Sequence, residues 1–180
     1  MTARAADQEF RVEPLGRQHD RTAFSCGVES LDLYLKTQAS QDMRRKANAV
    51  FVIAATDAPQ KIVGYFTLCA FAVGQGVVPE AARKHIPRYP LVSATLIGRL
   101  AVDTGYQGKG VGAMLLARAL RKAHDNAAMV GSSMVVVDAL DEQAAGFYEV
   151  HGFIRLADSM RLILPMQTIA GLVEGGIGRN

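Results

Sequence analysis

The chain carries only two cysteines in 180 residues, Cys26 and Cys69. They lack any metal or redox spacing, which excludes a disulfide scaffold and argues against a zinc module. A reduced, cytoplasmic compartment and no bound metal are the expectation, with both thiols as small core residues rather than nucleophiles. No apolar run approaches the roughly 20 residues needed to span a bilayer. The opening "MTARAADQEF" lacks the apolar stretch of a secretory signal. No membrane role is expected. Excess charge is also scarce, because a net +3 from 20 basic and 17 acidic residues is too little to argue for nucleic acid. Its distribution says more. "RRK" at 44–46, "RKHIPR" at 83–88 and "RALRK" at 118–122 are local basic clusters, while residues 138–149 are acidic. Such clusters are commonly solvated helix faces, and three of them are also compatible with a polyanionic partner.

What is present is an ordinary globular composition, 49% hydrophobic and 21% charged, at a length that suits one domain with a proper core. "FRVEPL" (10–15) predicts a short edge strand ended by Pro14. Leu31, Leu35, Ala39 and Met43 stand at helical spacing, which predicts a helix over 28–46. "AVFVIAAT" (49–56) and "KIVGYFTLCAFAV" (61–73) flank "DAPQ", a hairpin signature. Residues 74–94 hold Pro79, Pro87 and Pro90, so an irregular excursion with at most a short helix at 79–85 is expected. "TLIGRLAVD" (95–103) predicts a strand, followed by a glycine-rich turn and a helix to about 124. "SMVVVDAL" (133–140) is a buried-looking strand. Asp141 can cap the helix "EQAAGFYEVH", Gly152 can end it, and "MRLILPM" (160–166) is a last strand. The order indicates one mixed α/β domain over 1–173, a central sheet flanked by helices. The tail 174–180, part of "VEGGIGRN", has nothing to pack and is expected to be mobile.

The stretch "YQGKGVGAML" (106–115) places Gly108, Gly110 and Gly112 between a strand and a helix. A backbone without Cβ atoms bends freely and comes within hydrogen-bond reach of a ligand. The helix start leaves its N–H groups unpaired with the positive end of the dipole behind them. Together they make a site for a phosphate or pyrophosphate, to which Lys109 could add a point charge. The P-loop pattern fails, because Gly110-Val111 follows the only nearby lysine. A dinucleotide fingerprint would be relaxed (Gly108, Gly110, Ala113), late in the chain and without its acidic residue at a strand end.

"RLAVDTGYQGKGVGAMLL" resembles the acetyl-CoA motif of the GNAT superfamily of N-acetyltransferases, with Gln107, Gly110 and Gly112 matching [Q/R]-x-x-G-x-[G/A] in place. "DALDEQAAGFYEVHGF" resembles the superfamily's second signature through Phe147, Tyr148, Gly152 and Phe153, about 40 residues downstream. The resemblance implies a GNAT fold and acetyl-CoA as cosubstrate. It implies that Leu100, Ala101 and Val102 offer backbone groups to the pantetheine arm. Residues Gln107, Gly108, Lys109, Gly110, Val111 and Gly112 would then hold the pyrophosphate. Tyr148 stands where the superfamily commonly has its general acid; a phenol is protonated at neutral pH and can donate to a departing thiolate. A backbone N–H near Val102 would stabilise the oxyanion.

No glutamate stands in "TLIGRLAVD", where many relatives have a general base. Asp103 and Asp138 sit at strand ends and could serve, but each fits a turn or cap equally well. An α-amine suits such a site. At pH 7 roughly one α-amine in ten is neutral, against about one lysine ε-amine in 2,500.

"FSCGVESLDLYLKTQASQDMRR", "IPRYPLVSATLIGRLAVD", "VVVDALDEQAAGFYEVHGF" and "RLILPMQTI" together resemble the acetyltransferase toxins of bacterial toxin–antitoxin modules over most of residues 10–169. The resemblance implies acetylation of the α-amine on a charged tRNA, which stops translation. It also implies a homodimer and a ribbon–helix–helix antitoxin, with DNA bound only through the toxin–antitoxin complex. The basic residues Arg44, Arg45, Lys46, Arg83, Lys84 and Arg88 are candidate phosphate contacts. Arg99 is a candidate for the acceptor end, or is simply paired with an acidic neighbour. Two rivals share parts of this pattern. A housekeeping acetyltransferase acting on a small amine or protein N-terminus would not need the basic surface, and a pure interaction module would not need Tyr148 or the glycine turn. The missing base generates a prediction: acetylation is faster on α-amino than on ε-amino acceptors across pH 6–8, and equal efficiency on lysine side chains would refute it.

Overall fold

The structure is a computed structural model in which residues 10–175 are described. The elements are β1 Phe10–Pro14, α1 Glu29–Thr37, α2 Ala39–Arg44, β2 Ala49–Ala55, β3 Ala58–Gly74, α3 Glu80–Arg83 and β4 Leu91–Val102, then α4 Val111–Ala127, β5 Met134–Asp138, α5 Glu142–Val150, β6 Ile154–Arg155, β7 Arg161–Pro165 and α6 Met166–Glu174. Short 3₁₀ turns lie at Gln75–Val77 and Thr104–Tyr106. The strands form one seven-stranded sheet in the order β1-β2-β3-β4-β5-β7-β6. It is mixed: β4 and β5 are parallel, whereas β1–β2, β2–β3, β5–β7 and β6–β7 are antiparallel. This is the predicted α/β class. The described residues group into two compact units, 10–68 with 99–119, and 69–98 with 120–175.

In the first unit the expected helix over 28–46 is two helices. The break falls at Gln38 (φ −116°, ψ −30°). Just before it the Thr37 hydroxyl donates to the Leu33 carbonyl at 2.7 Å, a back-bond that competes with the helical ladder. The apolar stripe survives the break: Leu35 and Ala39 are fully buried, and Leu31 and Met43 pack against the same cluster. Aromatic rings fill its centre. Phe24 stands edge-on to Tyr65, Tyr34 stacks on Tyr65, and the Tyr65 hydroxyl donates to the Leu31 carbonyl at 2.6 Å. The hairpin turn is tighter than "DAPQ" suggests, since Ala55 pairs with Ala58. Pro59 then falls at the start of β3, where a strand tolerates it.

In the second unit β5 is buried along Met134–Val137, as the central strand of a two-sided sheet should be. β4 begins at Leu91 rather than 95, and Ala94 to Ile97 pair with Met134 to Val137. The proline-rich excursion is tied to itself, with Gln75 N donating to the Pro90 carbonyl at 3.0 Å. Helix α5 has both predicted ends. Asp141 Oδ1 accepts from Ala144 N at 2.8 Å, and Gly152 turns at φ +93°. Helix α6 was not expected. Pro165 looks like strand interior in the sequence but is the residue from which the helix starts, and Ile169 and Val173 are buried. Glu174, the first residue of the expected tail, closes α6, and Gly175 caps it. Gly176–Asn180 lie outside the described residues.

Gly64 of β3 permits one close approach. A Cβ there would lie 2.9 Å from the Ala101 carbonyl oxygen and 3.2 Å from Leu115 Cδ2. Backbone cannot yield as a flexible side chain can. Gly64→Ala is expected to destabilise the protein by about 1–3 kcal/mol, read as a lowered urea midpoint; an unchanged midpoint would show that the strands separate freely here.

Candidate active site

β4 ends in Leu100, Ala101 and Val102, of which Ala101 is buried and its neighbours half-buried. The chain then turns through Asp103, whose carboxylate is wholly engaged. Oδ1 accepts from Gly105 N at 2.9 Å, and Oδ2 accepts from Ser25 N at 3.1 Å. Thr104 N donates to the Ser25 carbonyl at 2.8 Å. Gln107 Nε2 donates to two carbonyls, Cys26 at 2.8 Å and Val102 at 2.9 Å. The end of β4, the turn and the 25–26 loop are thus laced into one piece. The amide of Gln107 serves as a clasp.

Beyond the clasp the turn opens. Gly108 and Gly110 take φ +75° and +79°, values that L side chains rarely adopt. Nothing lies within 4 Å of a Cβ built on either one. Conformation, not crowding, requires glycine at both positions, and the space beside them is clear. Residues 107–110 are exposed, while Val111 is buried and anchors the start of α4. The first N–H groups of α4 lack intrahelical acceptors by helix geometry. This cradle fits a diphosphate: clear space, amides at a helix start, and a cation alongside. Lys109 Nζ sits 3.3 Å from the Gly105 carbonyl and 5.7 Å from the Tyr106 ring centre. That ring also receives Phe10 edge-on and Lys61 at 5.2 Å.

Tyr148 belongs to the second unit. It is 8% exposed and stands edge-on to Phe147 and Phe153 at 5.2 and 5.4 Å. Burial pushes its phenol up to about 12. Its carbonyl accepts from Phe153 N at 3.1 Å and Gly152 N donates to Glu149 at 3.0 Å, the paired bonds of a glycine-terminated helix. These bonds fix the turn of helix on which the tyrosine sits. Asp138, the other base candidate, is bound by Arg161 through Nε at 2.7 Å and Nη2 at 3.0 Å. Arg161 also lies over the Phe71 ring at 4.8 Å.

The basic candidates divide by environment. Arg44, Arg45 and Lys46 are exposed at the end of α2. There Lys46 N and Ala47 N donate back to Met43 and Asp42, and Lys46 takes φ +60°. Arg83, Lys84 and Arg88 are exposed in the second unit, with Arg83 Nε held by the Val78 carbonyl at 2.9 Å. Arg99 is half-buried and its guanidinium lies 3.5 Å from the Tyr34 ring centre. The Tyr34 hydroxyl donates to Asp42 at 2.8 Å, and Arg99 acts on the Asp42 carboxylate as a nearby positive charge. Arg99 thus sits in an aromatic and acidic neighbourhood. The cluster at 118–122 is not a uniform solvated face, because Arg118 is 9% exposed. Sequence reasoning missed Gly64 and the 25–26 loop; a glycine inside an apolar strand run was the available signal for the first.

Cys26 is buried and its thiol is pushed up to about 11, chiefly by burial, so it is a core residue and not a nucleophile. Neither cysteine forms a disulfide. Among the described residues no cluster of His, Cys, Asp and Glu could hold a metal, and no helix is long and apolar enough to cross a membrane.

Comparison with known proteins adds four findings. The family model of the acetyltransferase (GNAT) domain matches residues 47–155. A "tRNA-acetylating toxin" of Mycobacterium tuberculosis (strain ATCC 25618 / H37Rv) is 32% identical over 155 residues, covering 86% of this chain and 90% of that protein. Among solved structures, AtaT complexed with acetyl-methionyl-tRNAfMet superposes with a TM-score of 0.83 at 30% identity, covering 92% of this chain and 99% of the other. A Tyr→Phe mutant of the AtaT toxin, bound to the C-terminus of the antitoxin AtaR and acetyl-CoA, gives 0.77 at 28% identity, covering 92% and 98%.

The lacing of the turn generates a prediction. Gly110→Ala places a side chain at φ +79°, at a cost of about 1–2 kcal/mol in the left-handed region. Coenzyme A affinity, measured by calorimetry, should fall about ten-fold, whereas wild-type affinity in the variant would remove the turn from the site.

Proposed function

Because the chain belongs to the GNAT acetyltransferase family, we propose that it is a toxin that transfers acetyl from acetyl-CoA to the α-amine of an aminoacyl-tRNA, blocking translation. The observation that carries the reading is the open, left-handed glycine turn at the start of α4, clasped from behind by Asp103 and Gln107. In this reading Gln107–Gly112 bind the diphosphate through main-chain N–H groups, and Leu100–Val102 line the pantetheine arm with their backbone. The acceptor is supported by the names of the relatives, a toxin that acetylates tRNA and a toxin structure that contains acetyl-methionyl-tRNA.

The chemistry asks little of side chains. The neutral α-amine attacks the thioester carbonyl, and an N–H near Val102 steadies the oxyanion. The C–S bond then breaks and the sulfur takes the phenolic proton of Tyr148. The proton shed by the amine passes to solvent, from which the phenolate is refilled. A phenol near 12 facing a thiol of about 8.5 would make that transfer uphill by several kcal/mol in water. The desolvation that raises the phenol raises a thiol beside it as well, so the two proton affinities move together. With both aspartates engaged by turns or by arginine, solvent is the remaining proton acceptor for the amine.

Exposed Arg44, Arg45, Lys46, Arg83, Lys84 and Arg88 serve as phosphate contacts for the tRNA, with Arg99 nearer the acceptor end. The protein acts in the cytoplasm as a homodimer, neutralised by a ribbon–helix–helix antitoxin, and meets DNA only through that complex. An antitoxin-bound relative supports the partner class.

Tyr148→Phe should lower kcat by about 10²–10⁴-fold with coenzyme A affinity held within two-fold. The wild-type rate should rise from pH 6 to about 9 as the α-amine loses its proton, then stay level to pH 10, because the buried phenol keeps its own proton until about 12. Raising salt from 50 to 200 mM should depress turnover of charged tRNA at least ten-fold and spare a small amine. Equal salt response of both acceptors would favour a small-molecule acetyltransferase.

A further inference from the structure

The excursion between β3 and β4 ends in Pro87-Arg88-Tyr89-Pro90. Tyr89 is 65% exposed. A single exposed aromatic is ordinary, but this one is held in an unusual frame. A residue before proline is confined to extended backbone. Gln75 closes the segment from the other side, its N–H donating to the Pro90 carbonyl at 3.0 Å and its amide to the Pro87 carbonyl at 3.4 Å. The ring is therefore presented from a stiffened loop, at little further entropic cost. Val77 and Leu91, 59% and 67% exposed, border the same tied segment. Charge is one-sided: exposed Arg83, Lys84 and Arg88 face one carboxylate, Glu80, in the 79–91 stretch.

A rigid exposed aromatic among cations is what a protein uses to hold an unpaired base, the ring taking the base face and the cations the phosphates. Every charged tRNA ends in a short single strand next to its aminoacyl ester. We propose that Tyr89 is a stacking platform for an unpaired base at the 3′ end of the charged tRNA, positioning the aminoacyl group for transfer. This rests on the function proposed above and names a contact within it. Tyr89 is a positioning residue: it takes no part in the proton transfers, and its contribution is to the binding of acceptor.

The experiment uses the full chain and two readouts. In the first, kcat/KM is measured for charged tRNA and for the methyl ester of the same amino acid. Tyr89→Ala should lower the ratio of the two about ten-fold or more, with the loss in KM, while Tyr89→Phe should stay within two- to three-fold of wild type. A folding defect lowers both acceptors alike and leaves the ratio unmoved, which would overturn the proposal. In the second, uncharged tRNA carrying 2-aminopurine in its single-stranded 3′ end is titrated with protein. Wild type and Tyr89→Phe should quench the fluorescence and Tyr89→Ala should not. This readout is independent of acetyl transfer, so stacking and the proposed reaction fail separately. Quenching unchanged in Tyr89→Ala would overturn the proposal, and a concurrent loss of self-association by sedimentation would assign Tyr89 to a surface between copies of the chain.

Discussion

The structure depends on a short backbone turn held in a shape that the chain would not keep unaided. Two glycines in the left-handed region lose more conformational freedom on folding than other residues. The turn is fixed by side chains that give up chemistry to fix it. Asp103 spends both carboxylate oxygens on main-chain N–H groups, and Gln107 spends its amide on two carbonyls. The first N–H groups of α4, which begins at Val111, have no acceptor within the helix. The result is an open turn, made of backbone and tied down by side chains, that the proposed function uses as a diphosphate cradle.

The parts of this arrangement that were legible in the sequence are those set by neighbours a few residues away. Gly108 and Gly110 before an apolar helix, Asp141 three residues before Ala144, and Gly152 after His151 each act through local geometry, and each stands as expected. The parts that were not legible are tertiary. The 25–26 loop carries no motif of its own; its place comes from Asp103 and Gln107, some 80 residues later in the chain. Gly64 matters because another strand's carbonyl lies 2.9 Å from where a Cβ would stand. Arg118 counts as surface charge in a sequence and is 9% exposed in the fold. Helix α6 was hidden by Pro165, which ends a strand and starts a helix with the same fixed φ.

Burial treats three tyrosines alike and leaves them with different work. The phenols of Tyr34, Tyr65 and Tyr148 are all pushed up, in each case first by burial. Tyr65 donates to a main-chain carbonyl and Tyr34 to Asp42, so both hydroxyls are structural members of the core. Arg99 lies on the Tyr34 ring, which places its charge against a face that is itself tied to a carboxylate. A cation held in that way is a fixed feature of the first unit rather than a mobile surface charge.

Both strand-end aspartates are engaged by the fold, Asp103 by two main-chain N–H groups and Asp138 by two guanidinium nitrogens of Arg161. In the proposed reading proton removal is left to water, and water suffices only when the amine is already close to neutral. An ε-amine would need help worth about three pKa units, roughly 4 kcal/mol, that such a site does not offer, whereas the α-amine of an aminoacyl ester needs almost none. Selectivity for the acceptor thus begins with the proton affinity of the amine itself, before any contact with RNA is made.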